Sequence, residues 1–140
     1  MGRTLAVDPG SRRLGVAVSD PTGTIAQPLT VVSAQPSNTL IERLAALTRE
    51  QEATALVVGL PRRLDGRLGP EAEAARRLAD QLRRATGLKV TMVDERLSSA
   101  AAERALLSTG ASRARRRRLS DQVAAALILQ SFLDSAKPGG

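Results

Sequence analysis

Three acidic residues far apart along the chain carry the chemistry that this sequence can offer: Asp8, Glu95 and Asp121. Each has a plain structural explanation when taken alone. An aspartate before Pro9-Gly10 can start an Asx turn, Glu95 can be a solvated loop residue, and Asp121 can cap a helix. Taken together they could form a cage of carboxylates. The chain has no histidine and no cysteine, which excludes imidazole and thiol catalysis, disulfides and the usual zinc sites. Carboxylates without imidazole suit Mg²⁺ or Mn²⁺, hard ions that take oxygen ligands. One or two such ions would serve; a pair about 3.5–4 Å apart can polarise a scissile phosphate and activate water.

The elements that must position these acids follow from apolar patterning and turn signals. Thr4–Asp8, Leu14–Val18 and Ile25–Val32 read as three strands joined by Pro9-Gly10 and by Asp20-Pro21-Thr22-Gly23, an antiparallel meander. Pro28 favours an edge position for the third. Thr39-Leu40-Ile41-Glu42 has the pattern of a capping box and opens a helix. Ala55–Gly59 is a strand, and Gly69-Pro70-Glu71 starts a helix that buries Ala75, Leu78, Ala79 and Leu82 and stops at Gly87. Lys89–Val93 is a strand that runs into Glu95, Ser98–Leu107 a short helix, Thr109–Arg118 a basic loop, and Ser120–Leu133 an apolar helix. Gly10 and Gly15 are read as a turn glycine with positive φ and a strand glycine that avoids crowding.

The order β-β-β-α-β-α-β-α-α predicts an α/β fold with a mixed five-stranded sheet, a meander followed by βαβ crossovers, flanked by helices. Strand ends then lie side by side, where ligands gather in open α/β sheets. Asp121 also shares a helix face with Ala125, Ile128, Leu129 and Phe132. A carboxylate on a face that packs on the sheet needs a positive partner.

All but Lys89 and Lys137 of the 21 basic residues are arginine, and the net charge is +7. Such a balance points to a polyanion. Phe132 is the sole aromatic, so a base-stacking platform is excluded and phosphates become the expected contact. Arg12 and Arg13 beside Asp8, Arg62 and Arg63 after Gly59-Leu60-Pro61, and Arg115, Arg116, Arg117 and Arg118 before Asp121 form the candidate nucleic-acid strip. The last group doubles as a solvated loop that orders on binding.

Asp8-Pro9-Gly10-Ser11-Arg12-Arg13-Leu14-Gly15-Val16-Ala17-Val18-Ser19-Asp20, Val58-Gly59-Leu60-Pro61, Val93-Asp94-Glu95-Arg96-Leu97-Ser98-Ser99 and Ser120-Asp121-Gln122-Val123-Ala124-Ala125-Ala126-Leu127-Ile128-Leu129-Gln130 resemble, in that order, the YqgF/RuvX family of Holliday junction resolvases and pre-16S rRNA nucleases. The resemblance implies a ribonuclease H-like fold and makes Asp8, Glu95 and Asp121 both the catalytic acids and the metal ligands. Resolvases of this fold carry a second aspartate one turn along the last helix, where this chain has Ala124. Asp20 or Asp65 could take its place; Asp94 points to the opposite strand face.

The leading expectation is therefore a metal-dependent nuclease acting on structured RNA, in 5′-end maturation of precursor 16S rRNA, or on branched DNA. Junction resolution would need a symmetric homodimer, and no sequence feature marks more than a weak one. A non-catalytic nucleic-acid-binding module is the alternative; a sugar-kinase or actin-like ATPase would need a second lobe and phosphate loop. Residues 1–136 are expected to form one domain with a flexible tail over 137–140. No signal peptide or membrane span is visible, so the expected location is the cytoplasm.

Overall fold

The computed structural model describes residues 2–61, 68–94 and 113–136, the last stretch with side chains over 122–135. Five strands, β1 (Arg3–Asp8), β2 (Arg13–Ser19), β3 (Ala26–Ser33), β4 (Ala53–Leu60) and β5 (Val90–Asp94), form one sheet in the order β3-β2-β1-β4-β5. β1–β2 and β2–β3 are antiparallel, whereas β1–β4 and β4–β5 are parallel. The sheet is thus mixed, with a meander on one side of β1 and crossovers on the other, as the sequence implies. β3 is an edge strand, which accommodates Pro28, and a bulge beside that proline leaves Leu29 out of the ladder.

Among the described residues three helices cover the sheet: α1 (Leu40–Glu50), α2 (Pro70–Thr86) and α3 (Arg113–Ala136). On one face Leu5, Val7, Leu14, Val16, Leu56 and Val58 pack with Leu44 of α1 and with Ala75, Leu78, Ala79 and Leu82 of α2. On the other, Ala6, Ala17 and Val57 pack with Ala125, Ile128, Leu129 and Leu133 of α3. Coverage of both faces explains why β1, β2 and β4 read as continuous apolar runs with no polar alternation. α2 starts with Pro70 in its first turn and stops at Gly87, whose φ of 72° is left-handed.

Two expectations about the helices fail. The capping box at Thr39 does not form: its hydroxyl donates to the Pro36 carbonyl and accepts from Arg43 Nε, because a 3₁₀ turn over Ser37–Thr39 leads into α1. The basic loop up to Arg118 is wrong as well, for α3 already begins at Arg113. Arginine is a strong helix former, and neither Gly nor Pro interrupts residues 113–136. Helix therefore continues through the charged run. The helix expected over Ser98–Leu107, the tail over 137–140, and Glu95, Asp65, Arg62 and Arg63 lie outside the described residues.

Candidate functional site

Asp8 is the last residue of β1, the central strand, at the point where the sheet changes from antiparallel to parallel pairing. Leu5 and Val7 face α1 and α2, so Ala6 and Asp8 face α3. The neighbouring carboxyl ends are Leu60 of β4 and Asp94 of β5, which pair with each other. Met92 packs on the α1/α2 side and Val93 on the α3 side, which gives Asp94 the face opposite Asp8. Asp94 is no substitute for a ligand on the Asp8 side.

Asp121 belongs to α3, its ninth residue, and so is not a helix cap. Position 121 lies one turn before buried Ala125, on the stripe that continues through Ile128 and Leu129. Asp8 and position 121 thus belong to the same interface, that between the sheet and α3. Positions 117 and 118 lie four and three residues before 121 and share its side of the helix; 115 and 116 are rotated away. A helix divides the arginine run that a loop would have left continuous.

The turn after Asp8 depends on Gly10, though not for the reason expected. Its φ is not positive; a Cβ there would instead stand 2.4 Å from the Arg13 carbonyl oxygen. Close approach of backbone to backbone excludes a side chain there and lets the β1–β2 turn close. A groove of about 430 Å³ follows, lined by Arg12, Arg13, Thr30, Val31, Ser33 and Gln122. On the far side of the turn a smaller crevice of about 280 Å³ lies between Pro9, Gly10, Pro61 and the start of α2 at Pro70 and Glu71.

Asp20 takes no part. It lies at the opposite end of β2 and folds the β2–β3 turn: Oδ1 accepts from the Thr24 and Ile25 amides at 2.7 and 2.9 Å, and Oδ2 from the Thr22 hydroxyl. These hydrogen bonds, led by that from Thr22, hold its carboxyl well below the usual carboxylate range. Gln130 was overlooked by sequence reasoning. Its Oε1 accepts from the Ala26 amide at 2.9 Å and its Nε2 donates to the Thr24 carbonyl at 2.9 Å, tying α3 to the β2–β3 hairpin. A polar residue next to the apolar stripe of α3 was the available signal.

The donors at the Asp8 end are oxygens only, which fits Mg²⁺ or Mn²⁺ and no softer metal. Among the described residues no group of three acids forms, because only one of the three expected ligand side chains is among them.

The strand order, with the last helix packed across one face of the sheet, is that of the ribonuclease H-like fold. RuvC of T. thermophilus in complex with a Holliday junction substrate matches with a TM-score of 0.63 at 20% identity over 99% of both chains. The fowlpox virus resolvase bound to Holliday junction DNA matches at 0.61 and 9%, over 95% of this chain and 97% of that one. At such identities the likeness is one of fold. Sequence goes further: the chain belongs to the RuvX family, described as Holliday junction resolvase, which it matches over residues 2–135. A relative from Roseiflexus sp. (strain RS-1) is 45% identical over 97% of this chain and 96% of its own length. One from Myxococcus xanthus (strain DK1622) is 47% identical over 97% and 90%. Both bear the name "Putative pre-16S rRNA nuclease".

Proposed function

We propose that this protein is a metal-dependent nuclease that hydrolyses phosphodiester bonds in structured RNA, in 5′-end maturation of precursor 16S rRNA. The observation that carries the proposal is that Asp8 and the Asp121 position belong to one sheet–helix interface, beside an arginine-lined groove. Glu95, two residues beyond Val93 in the sequence, is the third proposed ligand. The names of the relatives favour precursor rRNA. The description of the family favours branched DNA, which keeps junction resolution by a homodimer as the second reading.

In this reading Asp8, Glu95 and Asp121 hold Mg²⁺ or Mn²⁺, which when bound would polarise the scissile phosphate and lower the pKa of the attacking water. Asp8 supplies a fixed carboxylate at the end of a buried strand. Arg12 and Arg13 draw the phosphate chain to it, and Arg62 and Arg63 would extend the same strip. Five arginines crowd the first two turns of α3, and no acid stands in the first turn to offset them. Cations there oppose the helix dipole. A polyanion bound along Arg115–Arg118 would relieve that repulsion, which supports these arginines as substrate contacts.

The test compares a precursor rRNA fragment with a four-way DNA junction in Mg²⁺, Mn²⁺ and chelator. The wild type should cut the RNA only with metal. Asp8→Asn, Glu95→Gln and Asp121→Asn should each lose roughly 10³-fold in rate, equivalent to about 4 kcal/mol of transition-state stabilisation. Full activity in all three variants, or cleavage in chelator, would reject the mechanism. Preference for the junction, with a dimer in sedimentation, would select the second reading.

A further inference from the structure

We infer that the groove on the edge of the meander seats the sugar-phosphate backbone of the substrate strand and leads it past Arg12 and Arg13, at the start of β2, to Asp8. This rests on the nuclease reading and adds a path to it. Asp8 pairs with Gly15, and Gly15 with Val31, so the three form one row across β1, β2 and β3. Leu14 and Val16 face α1 and α2, which turns Gly15 toward α3. Gly15 itself is buried there, so the way from the groove to Asp8 runs past the start of β2, where Arg12 is exposed and Arg13 partly so.

The lining matches a phosphate backbone. Among the described residues it contains two arginines, three neutral hydrogen-bonding side chains (Thr30, Ser33 and Gln122), one valine and no acid. Guanidinium, hydroxyl and amide groups are those that grip phosphate and sugar oxygens without reading bases. With Phe132 inside the α3 cluster, no aromatic is left to stack a base there. The edge is also held in place. The Ser33 carbonyl accepts from Arg43 at 2.7 Å, and the Ala34 amide donates to the Arg12 carbonyl at 2.9 Å. Strands lie ~4.8 Å apart, so β3 is about 10 Å from β1. That is a reach of only a few nucleotides along the substrate strand.

The absence of native cysteine makes the test direct. Ser33→Cys introduces a unique thiol for an iron chelate that generates hydroxyl radicals, and Ser135→Cys, exposed near the other end of α3, is the control. An end-labelled precursor rRNA stem with a single-stranded 5′ extension is the probe, bound by each variant in the cleavage-deficient Asp8→Asn background. Ser33→Cys should cut within a few nucleotides of the natural cleavage position, and the control should not. A second measurement uses Arg12→Glu combined with Ser33→Glu, which should raise KM on the order of tenfold and leave kcat within about twofold. A radical pattern no different from the control, with KM unchanged while the wild type still cleaves this RNA, overturns the groove and leaves the nuclease intact. An RNA that is bound and footprinted at Ser33 but never cut keeps the groove and overturns the nuclease.

Discussion

The two faces of the sheet are built from different materials. Toward α1 and α2 the strands present Leu5, Val7, Leu14, Val16, Leu56 and Val58, and two helices answer with leucines. Toward α3 they present Ala6, Ala17 and Val57, with Gly15 further along and Asp8 at the end of the row. Large side chains make the first face the thicker and more strongly apolar layer. Small ones make the face toward α3 the thinner layer, with Asp8 at its end. One face is built for apolar volume, and the other, thinner one carries the residues of the proposed site.

Truncation on the thick face should produce the largest change in stability. Leu82 is fully buried, and Leu82→Ala should cost roughly 2–5 kcal/mol in chemical denaturation through lost transfer energy and a cavity. Its cleavage rate per folded molecule should not change. On the thin face the damaging change is enlargement. Ala17, also fully buried, becomes overpacked in Ala17→Leu at a cost of roughly 1–3 kcal/mol. Here the rate should fall even where the protein is fully folded, since α3 and its Asp121 are lifted from Asp8. Equal loss of rate in both variants, measured well below their melting temperatures, would erase the distinction between the faces.

Most of this division was legible from sequence. Apolar runs bounded by Pro-Gly, Gly-Pro and Gly signals defined the five strands and α2, because those signals act locally. Edge placement of β3 followed from Pro28. The stripe of Ala125, Ile128 and Leu129 marked the sheet side of the last helix. What escaped was non-local or a matter of competing propensities. The arginines at 113–118 look like a loop by charge and form a helix by propensity, and charge alone does not decide between them. Gly10 owes its identity to the Arg13 carbonyl, a contact that exists only once the turn has closed. Thr30, Ser33 and Gln122 meet only because β3 is an edge strand lying next to α3.

A smaller effect is expected where α3 is fastened rather than packed. Gln130→Ala leaves the Ala26 amide and the Thr24 carbonyl without their side-chain partner, a cost of roughly 1–2 kcal/mol for half-buried groups. Gln130→Glu keeps an acceptor for Ala26 but sets a carboxylate against the Thr24 carbonyl and Asp134, which Nε2 now contacts at 3.0 Å. It should be at least as destabilising at neutral pH and recover as the acid protonates. If Gln130→Glu were as stable as the wild type at pH 7, the paired amide geometry would not be what holds the hairpin to α3.

The smallest effect belongs to the distal end of the thin face, where Asp20 folds the hairpin that Gln130 grips. Its folded carboxyl titrates well below the ordinary value of 3.8, chiefly because the Thr22 hydroxyl and the Thr24 and Ile25 amides favour the charged form. A group depressed in the folded state binds its proton more readily when unfolded, so its contribution is complete above the ordinary value and is lost as pH falls below it. Asp20→Asn should therefore lower the melting temperature modestly at pH 7, the difference narrowing steadily below about pH 4. Asp20 is solvent-facing, so salt should narrow the gap too. A difference that stayed constant from pH 7 to pH 3 would mean that the turn depends on the shape of the side chain and not its charge. The hairpin end of this face would then owe nothing to electrostatics, leaving its charge dependence to the Asp8 end alone.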